Sequence, residues 1–116
     1  MLFLCHPTCT TCKKAQAFLE SRGITAQIRD IRTERPTSDE LRLWQQISGL
    51  PLKRFFNTSG QQYRALGLSE KLAGMDEEQQ LDLLASDGML VKRPILVKGD
   101  AVLVGFKESQ WEALLG

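Results

Sequence analysis

The chain has 116 residues, 42% hydrophobic and 25% charged, with a formal net charge of +1, the profile of one globular domain, residues 1–116, too small for two. Near-neutral charge excludes an electrostatic footprint for nucleic acid or an anionic membrane surface, and no apolar run reaches the length of a spanning helix. Met1-Leu2-Phe3-Leu4-Cys5 lacks a basic leader and cleavage site, and three cysteines argue against a disulfide scaffold, so a cytoplasmic protein with thiols reduced at rest is expected.

Met1 to Cys5 is a short apolar run, His6-Pro7-Thr8 breaks it, and no Gly or Pro follows until Gly23. Strand, turn and helix are expected in that order. The helix should run from about Cys9 to Arg22, bury Ala15, Phe18 and Leu19, and stop at Gly23. Cys9-Thr10-Thr11-Cys12 then lies on its first turn, where unpaired N–H groups and the helix dipole favour a thiolate. An ordinary thiol pKa of about 8.5 falls to about 3.5–7.5 in such surroundings. Cys9 is the better placed nucleophile. Residues i and i+3 face the same way with β-carbons about 5–6 Å apart, so Cys12 can resolve a bond made at Cys9 by closing a disulfide. The alternative is half of a zinc site, but zinc needs about four ligands, and the chain has no second cysteine pair. Redox chemistry is therefore preferred, and no metal is expected. Cys5 reads as a small buried hydrophobe. His6 could accept a proton from either cysteine or end the strand in solvent, and Lys13 and Lys14 could add positive potential or form a solvated face.

Ile24 to Ile31, with Ile24, Ala26 and Ile28 alternating against Thr25, Gln27 and Arg29, predicts a half-buried strand, parallel to the first through a right-handed crossover. Thr37-Ser38-Asp39-Glu40 fits a capping box, followed by a helix to about Ser48, with Leu41, Trp44 and Ile47 at helical spacing and Gly49 as its end. Trp44 is read as core or rim packing rather than a ligand contact. From Leu52 to Gly60 a short helix and a loop are expected. Short helices at Gln61–Leu66 and Ser69–Ala73 and a longer one at Asp76–Ser86, packing Leu81, Leu83 and Leu84, complete a middle third with no strand pattern. Residues 36–90, in round numbers, read as a helical insertion between two halves of a small sheet. Ile95-Leu96-Val97 and Ala101-Val102-Leu103-Val104 about Lys98-Gly99-Asp100 predict a hairpin, and a last helix carries Trp111, Leu114 and Leu115. One parallel pair plus one hairpin, with helices around them, makes an α/β fold with a four-stranded mixed sheet of the thioredoxin kind. The scattered glycines form no phosphate-binding pattern, so no nucleotide is expected.

Thr8-Cys9-Thr10-Thr11-Cys12-Lys13-Lys14-Ala15, Phe56-Asn57-Thr58-Ser59-Gly60 and Val91-Lys92-Arg93-Pro94-Ile95 together resemble the arsenate reductase family of thioredoxin-fold proteins, over essentially the whole chain. The family includes glutaredoxin-linked arsenate reductases and Spx-type transcription regulators. The resemblance implies that Cys9 attacks the substrate and that Arg93, one of three oxyanion-holding arginines, is matched here. The second arginine position is Asn57, the third falls near Gly105, and the family's histidine position is Cys5, with His6 beside it. An amide cannot replace a guanidinium's charge, which weighs against arsenate. The resemblance also implies a cis Arg93-Pro94 bond opposite the active cysteine, whereas a trans proline opening a strand is the residues' plainer reading. Asn57, Thr58 and Ser59 could donate to a bound anion or glutathione, or simply form a turn. Cys9, Cys12 and Arg93 are thus the expected catalytic residues, and Thr10, Thr11, Lys13, Asn57 and Pro94 the expected substrate contacts. The implied electron source is glutathione, glutaredoxin or thioredoxin, with no bound cofactor beyond glutathione as a co-substrate. The alternative implied role is an Spx-like redox sensor that binds the RNA polymerase α subunit, with no direct nucleic-acid contact.

Overall fold

In a computed structural model that describes Met1–Leu115, the chain builds around β1, Leu2–Cys5. Phe3, Leu4 and Cys5 are all buried, because β1 is an inner strand covered on both faces. It pairs in parallel with β2, Gln27–Asp30, and antiparallel with β3, Ile95–Lys98, which forms a hairpin with β4, Ala101–Val104. The order is β2-β1-β3-β4 in a four-stranded mixed sheet, the thioredoxin-like arrangement expected.

Alternation along β1 divides the core in two. Phe3 and Cys5 pack with Cys12, Ala15, Phe18 and Leu19 of α1, Thr10–Ser21, and with Trp111 of α6, Glu108–Leu115. Leu4 packs on the opposite face with Leu41 and Trp44 of α2, Ser38–Ser48, and the helical segment beyond it. That segment comprises a 3-10 turn at Leu52–Phe55, α3 at Gln61–Ala65, α4 at Leu68–Lys71, a 3-10 turn at Leu72–Gly74, α5 at Glu77–Ser86 and a 3-10 turn at Gly88–Leu90. It shares its core with the sheet, since Tyr63, Leu68, Leu81 and Leu84 lie in one cluster with Leu4, Ile31, Ile95 and Val102.

Local chemistry sets the helix ends. Gly23, at φ +67°, takes the left-handed conformation after α1. Thr37 and Glu40 close a capping box at α2, and Asp76 and Gln79 close another at α5, each satisfying orphan N–H groups at about 1 kcal/mol. Glu40 also receives both Nη groups of Arg29, at 2.6 and 2.8 Å, tying α2 to β2. Arg42 bridges α2 to Glu78 of α5.

Two features differ from the sequence pattern. The second strand is shorter than Ile24–Ile31, and Ile28 is 55% exposed rather than inward, on a strand that lies at the edge of the sheet. The middle third is not free of strand pairing: Phe56 and Val91 form an antiparallel bridge. Asn57 N–H donates to Leu90 O at 2.7 Å and Lys92 N–H to Phe55 O at 2.7 Å, lacing two distant segments side by side. No helix is long and apolar enough to cross a membrane among the described residues.

Gly88 is buried where the last 3-10 turn meets the end of β2, and a β-carbon there would overlap the Ile31 carbonyl. Backbone cannot swing aside as a side chain can. Gly88→Ala should therefore lower stability by about 2–3 kcal/mol, read as a lower urea midpoint at unchanged slope.

Candidate functional site

The thiol pair sits where β1 hands over to α1. Cys9 is the N-cap residue rather than part of the first turn, with extended dihedrals (φ −76°, ψ 123°) and no side-chain hydrogen bond closing the cap. Its own N–H donates to His6 O at 3.1 Å, and its carbonyl accepts from Lys13 N–H at 3.0 Å, which fixes its backbone. The N–H groups of Thr11 and Cys12 are left to face the sulfur, and the macrodipole of α1 adds to them. Cys12, one turn on, is 2% exposed. Its sulfur accepts the His6 N–H at 3.3 Å.

These surroundings split the thiols. Burial works against ionising Cys9, but the Cys12 N–H and thiol, the Arg93 guanidinium and the Thr11 N–H outweigh it and hold its pKa below the ordinary value. Cys12 is pushed up to about 12, first by burial and then by the Cys9 sulfur, to which it donates; the His6 N–H opposes this only in part. Cys5 is also raised, by burial, Asp30 and Cys9, and its 6% exposure marks it as core. Of the three free thiols, only Cys9 is lowered.

Arg93 stands in the segment leading to β3, and its bond to Pro94 is cis. Its Nε and Nη1 are buried with no hydrogen-bond partner. Two guanidinium donors held dry and unpaired are costly without an acceptor. His6 has Nδ1 engaged by Thr8, whose N–H donates at 3.1 Å and whose hydroxyl lies at 2.9 Å. Its pKa is lowered by burial and by Arg93 and Arg32, against Asp30.

Cys9, Thr11, Asn57 and Arg93 line one open cleft of about 660 Å³. Thr10 and Lys13 are exposed on α1 outside it, and Pro94 and Cys12 are buried behind it. Asn57 begins the turn to Gly60, whose N–H returns to Asn57 O at 3.0 Å, and the Asn57 carboxamide lies where a β-carbon on Gly60 would be. Both readings of Asn57, turn former and cleft donor, are compatible with that position. Arg54, Lys92 and Lys107 also line the cleft. Arg54 and Lys107 belong to no motif, and only the Phe56–Val91 lacing and the return of β4 bring them to Lys92. The adjacency of Lys92 to Arg93 was the one local signal.

A model of the ArsC family matches residues 4–114. The protein YusI of Bacillus subtilis, described as uncharacterized, is 50% identical over 112 residues, covering 97% of this chain and 95% of that one. The crystal structure of an ArsC family related protein from Bacteroides fragilis superposes with a TM-score of 0.94 at 51% identity, covering 97% and 95% of the two chains. The global transcriptional regulator Spx of Streptococcus pyogenes is 30% identical over 115 residues, 98% of this chain and 83% of its own.

Because the Arg93 charge favours the Cys9 thiolate, Arg93→Gln should move the midpoint of Cys9 alkylation to higher pH by about one unit, while Arg93→Lys restores part of the shift. The rate of iodoacetamide labelling against pH measures it.

Proposed function

Because the chain belongs to the ArsC family, we propose that it is an arsenate reductase-like thiol oxidoreductase whose substrate is a disulfide. The observation that carries this reading is the contrast between an ionisable Cys9 facing the cleft and a protonated Cys12 buried behind it. That is the arrangement of attacking and resolving thiols.

The Cys9 thiolate attacks one sulfur of the substrate R–S–S–R′. A Cys9–S–R bond forms, the substrate S–S bond breaks, and R′S⁻ leaves with the electron pair. Cys9 has then lost its negative charge, which removes its own contribution to the raised Cys12 pKa and leaves that of burial. Cys12 gives its proton to the departing thiolate or to water and attacks the Cys9 sulfur. The Cys9–Cys12 disulfide forms and RS⁻ leaves, so the substrate has gained two electrons and the protein has lost them. Glutathione, glutaredoxin or thioredoxin returns them. The cycle runs on thiols alone and calls on no metal or bound cofactor. Arg93 steadies the thiolate and the anionic leaving group. Arsenate is the weaker substrate class, since the cleft presents Asn57 and Gly105 where the resemblance places two further arginines.

The likeness to Spx favours a second reading, in which the same disulfide forms but its output is a change in binding to the RNA polymerase α subunit. Turnover separates the two. With a small mixed disulfide and a coupled reductant, Cys9→Ser should lower turnover by about a thousandfold or more, and Cys12→Ser should trap a mixed disulfide on Cys9 visible by mass. Single-round oxidation without turnover, coupled to polymerase binding that oxidation changes, would support the sensor instead.

A further inference from the structure

The cleft holds more positive charge than the thiol chemistry uses. Arg54 comes from the 3-10 turn at Leu52–Phe55, Lys92 and Arg93 from the segment before β3, and Lys107 from the link between β4 and α6. Among the described residues no Asp or Glu lines the cleft with them. The chain's ion pairs lie elsewhere: Arg22 with Glu112, Arg29 with Glu40, Arg32 with Asp30, and Arg42 with Asp39 and Glu78. The cleft cations are left without a carboxylate partner among the described residues. Low-dielectric walls focus the field of such a cluster on an incoming anion.

One of these cations lies against a glycine. Gly105 has φ +78°, and the heavy atom nearest to where its β-carbon would stand is Cε of Lys92, at 3.4 Å. The backbone around this contact is fixed, because Gly105 N–H donates to Pro94 O at 2.8 Å, its carbonyl accepts Trp111 Nε1 at 3.1 Å, and Lys92 N–H is held by Phe55 O. The bare edge at Gly105 is therefore covered by the Lys92 stem, in the cleft that Arg93 also lines. A lysine ammonium is a compact charge with rotatable donors, suited to a carboxylate arriving at varied angles.

Resting on the disulfide reading above, we infer that Lys92 is a specificity-determining residue whose ammonium, with Arg93, gives the cleft a second anion-holding point, so that Cys9 selects disulfides carrying carboxylates over uncharged ones. The substrate class is a low-molecular-weight thiol with acidic groups, bound through sulfur to a second thiol. Lys92 acts on binding and capture. The electron count of the attack at Cys9 is unchanged, and the carboxylates take no part in bond making.

The test measures the rate at which Cys9 is captured by dithiobis(nitrobenzoate), which carries two carboxylates, and by dithiodipyridine, which is uncharged. Wild type, Lys92→Gln and Lys92→Arg are compared, with labelling by neutral iodoacetamide as the control on Cys9. Lys92→Gln should slow capture by the dicarboxylate about fivefold, the size of one partly screened charge contact, and leave dithiodipyridine and iodoacetamide rates unchanged. Lys92→Arg should restore the dicarboxylate rate, and high salt should shrink the wild-type advantage. An equal loss with both disulfides, or no loss with either, would overturn the role of Lys92 while leaving the thiol chemistry standing. Failure of wild-type Cys9 to react with either disulfide faster than a free thiol would overturn the disulfide reading, and this inference with it.

Discussion

A helix that begins on a cysteine and has no side-chain cap is the constraint on which the site depends. The orphan N–H groups at the start of α1 are left to a sulfur, and the residue one turn later is driven under β1 by the same helical geometry. One turn of helix therefore places two identical side chains in opposite environments. Hydrogen-bond donors outweigh partial burial and lower one thiol, whereas deeper burial raises the other. The one distant contribution is the Arg93 guanidinium, which lowers Cys9 further.

What distant elements supply is the cleft. The Phe56–Val91 bridge and its flanking hydrogen bonds bring Asn57 beside the segment that carries Lys92 and Arg93. The Trp111 indole holds the Gly105 carbonyl and closes the rim from α6. Trp111 is fully buried and packs edge-on against Phe3, Phe18 and Phe106. The rim is thus anchored in the same core that seats α1. Chemistry and packing meet at β1, whose Phe3 and Cys5 floor one face while Leu4 joins the helical segment on the other.

Much of this was legible in the sequence where the signal is local. The strand-turn-helix around Cys9, the Thr37–Glu40 capping box and the Lys98-Gly99-Asp100 hairpin each depend on a few neighbouring residues, and each forms. Ile28 misled because alternation reports which residues share a face, not whether that face is covered; at Ile28 it is not. Arg54 and Lys107 are ordinary surface cations in sequence and become cleft residues only through long-range pairing. Thr10 and Lys13 show the converse, since closeness to Cys9 in sequence does not bring either into the cleft.

The central claim is that Cys9 and Cys12 ionise far apart, with Cys9 first. The ultraviolet absorbance of the thiolate, followed against pH in the reduced protein and in Cys9→Ser, measures it most directly. The account predicts one thiolate step below the ordinary cysteine range, lost in Cys9→Ser, with Cys12 still protonated in mildly alkaline solution. A first step in the ordinary range, or one that survives in Cys9→Ser, would contradict it.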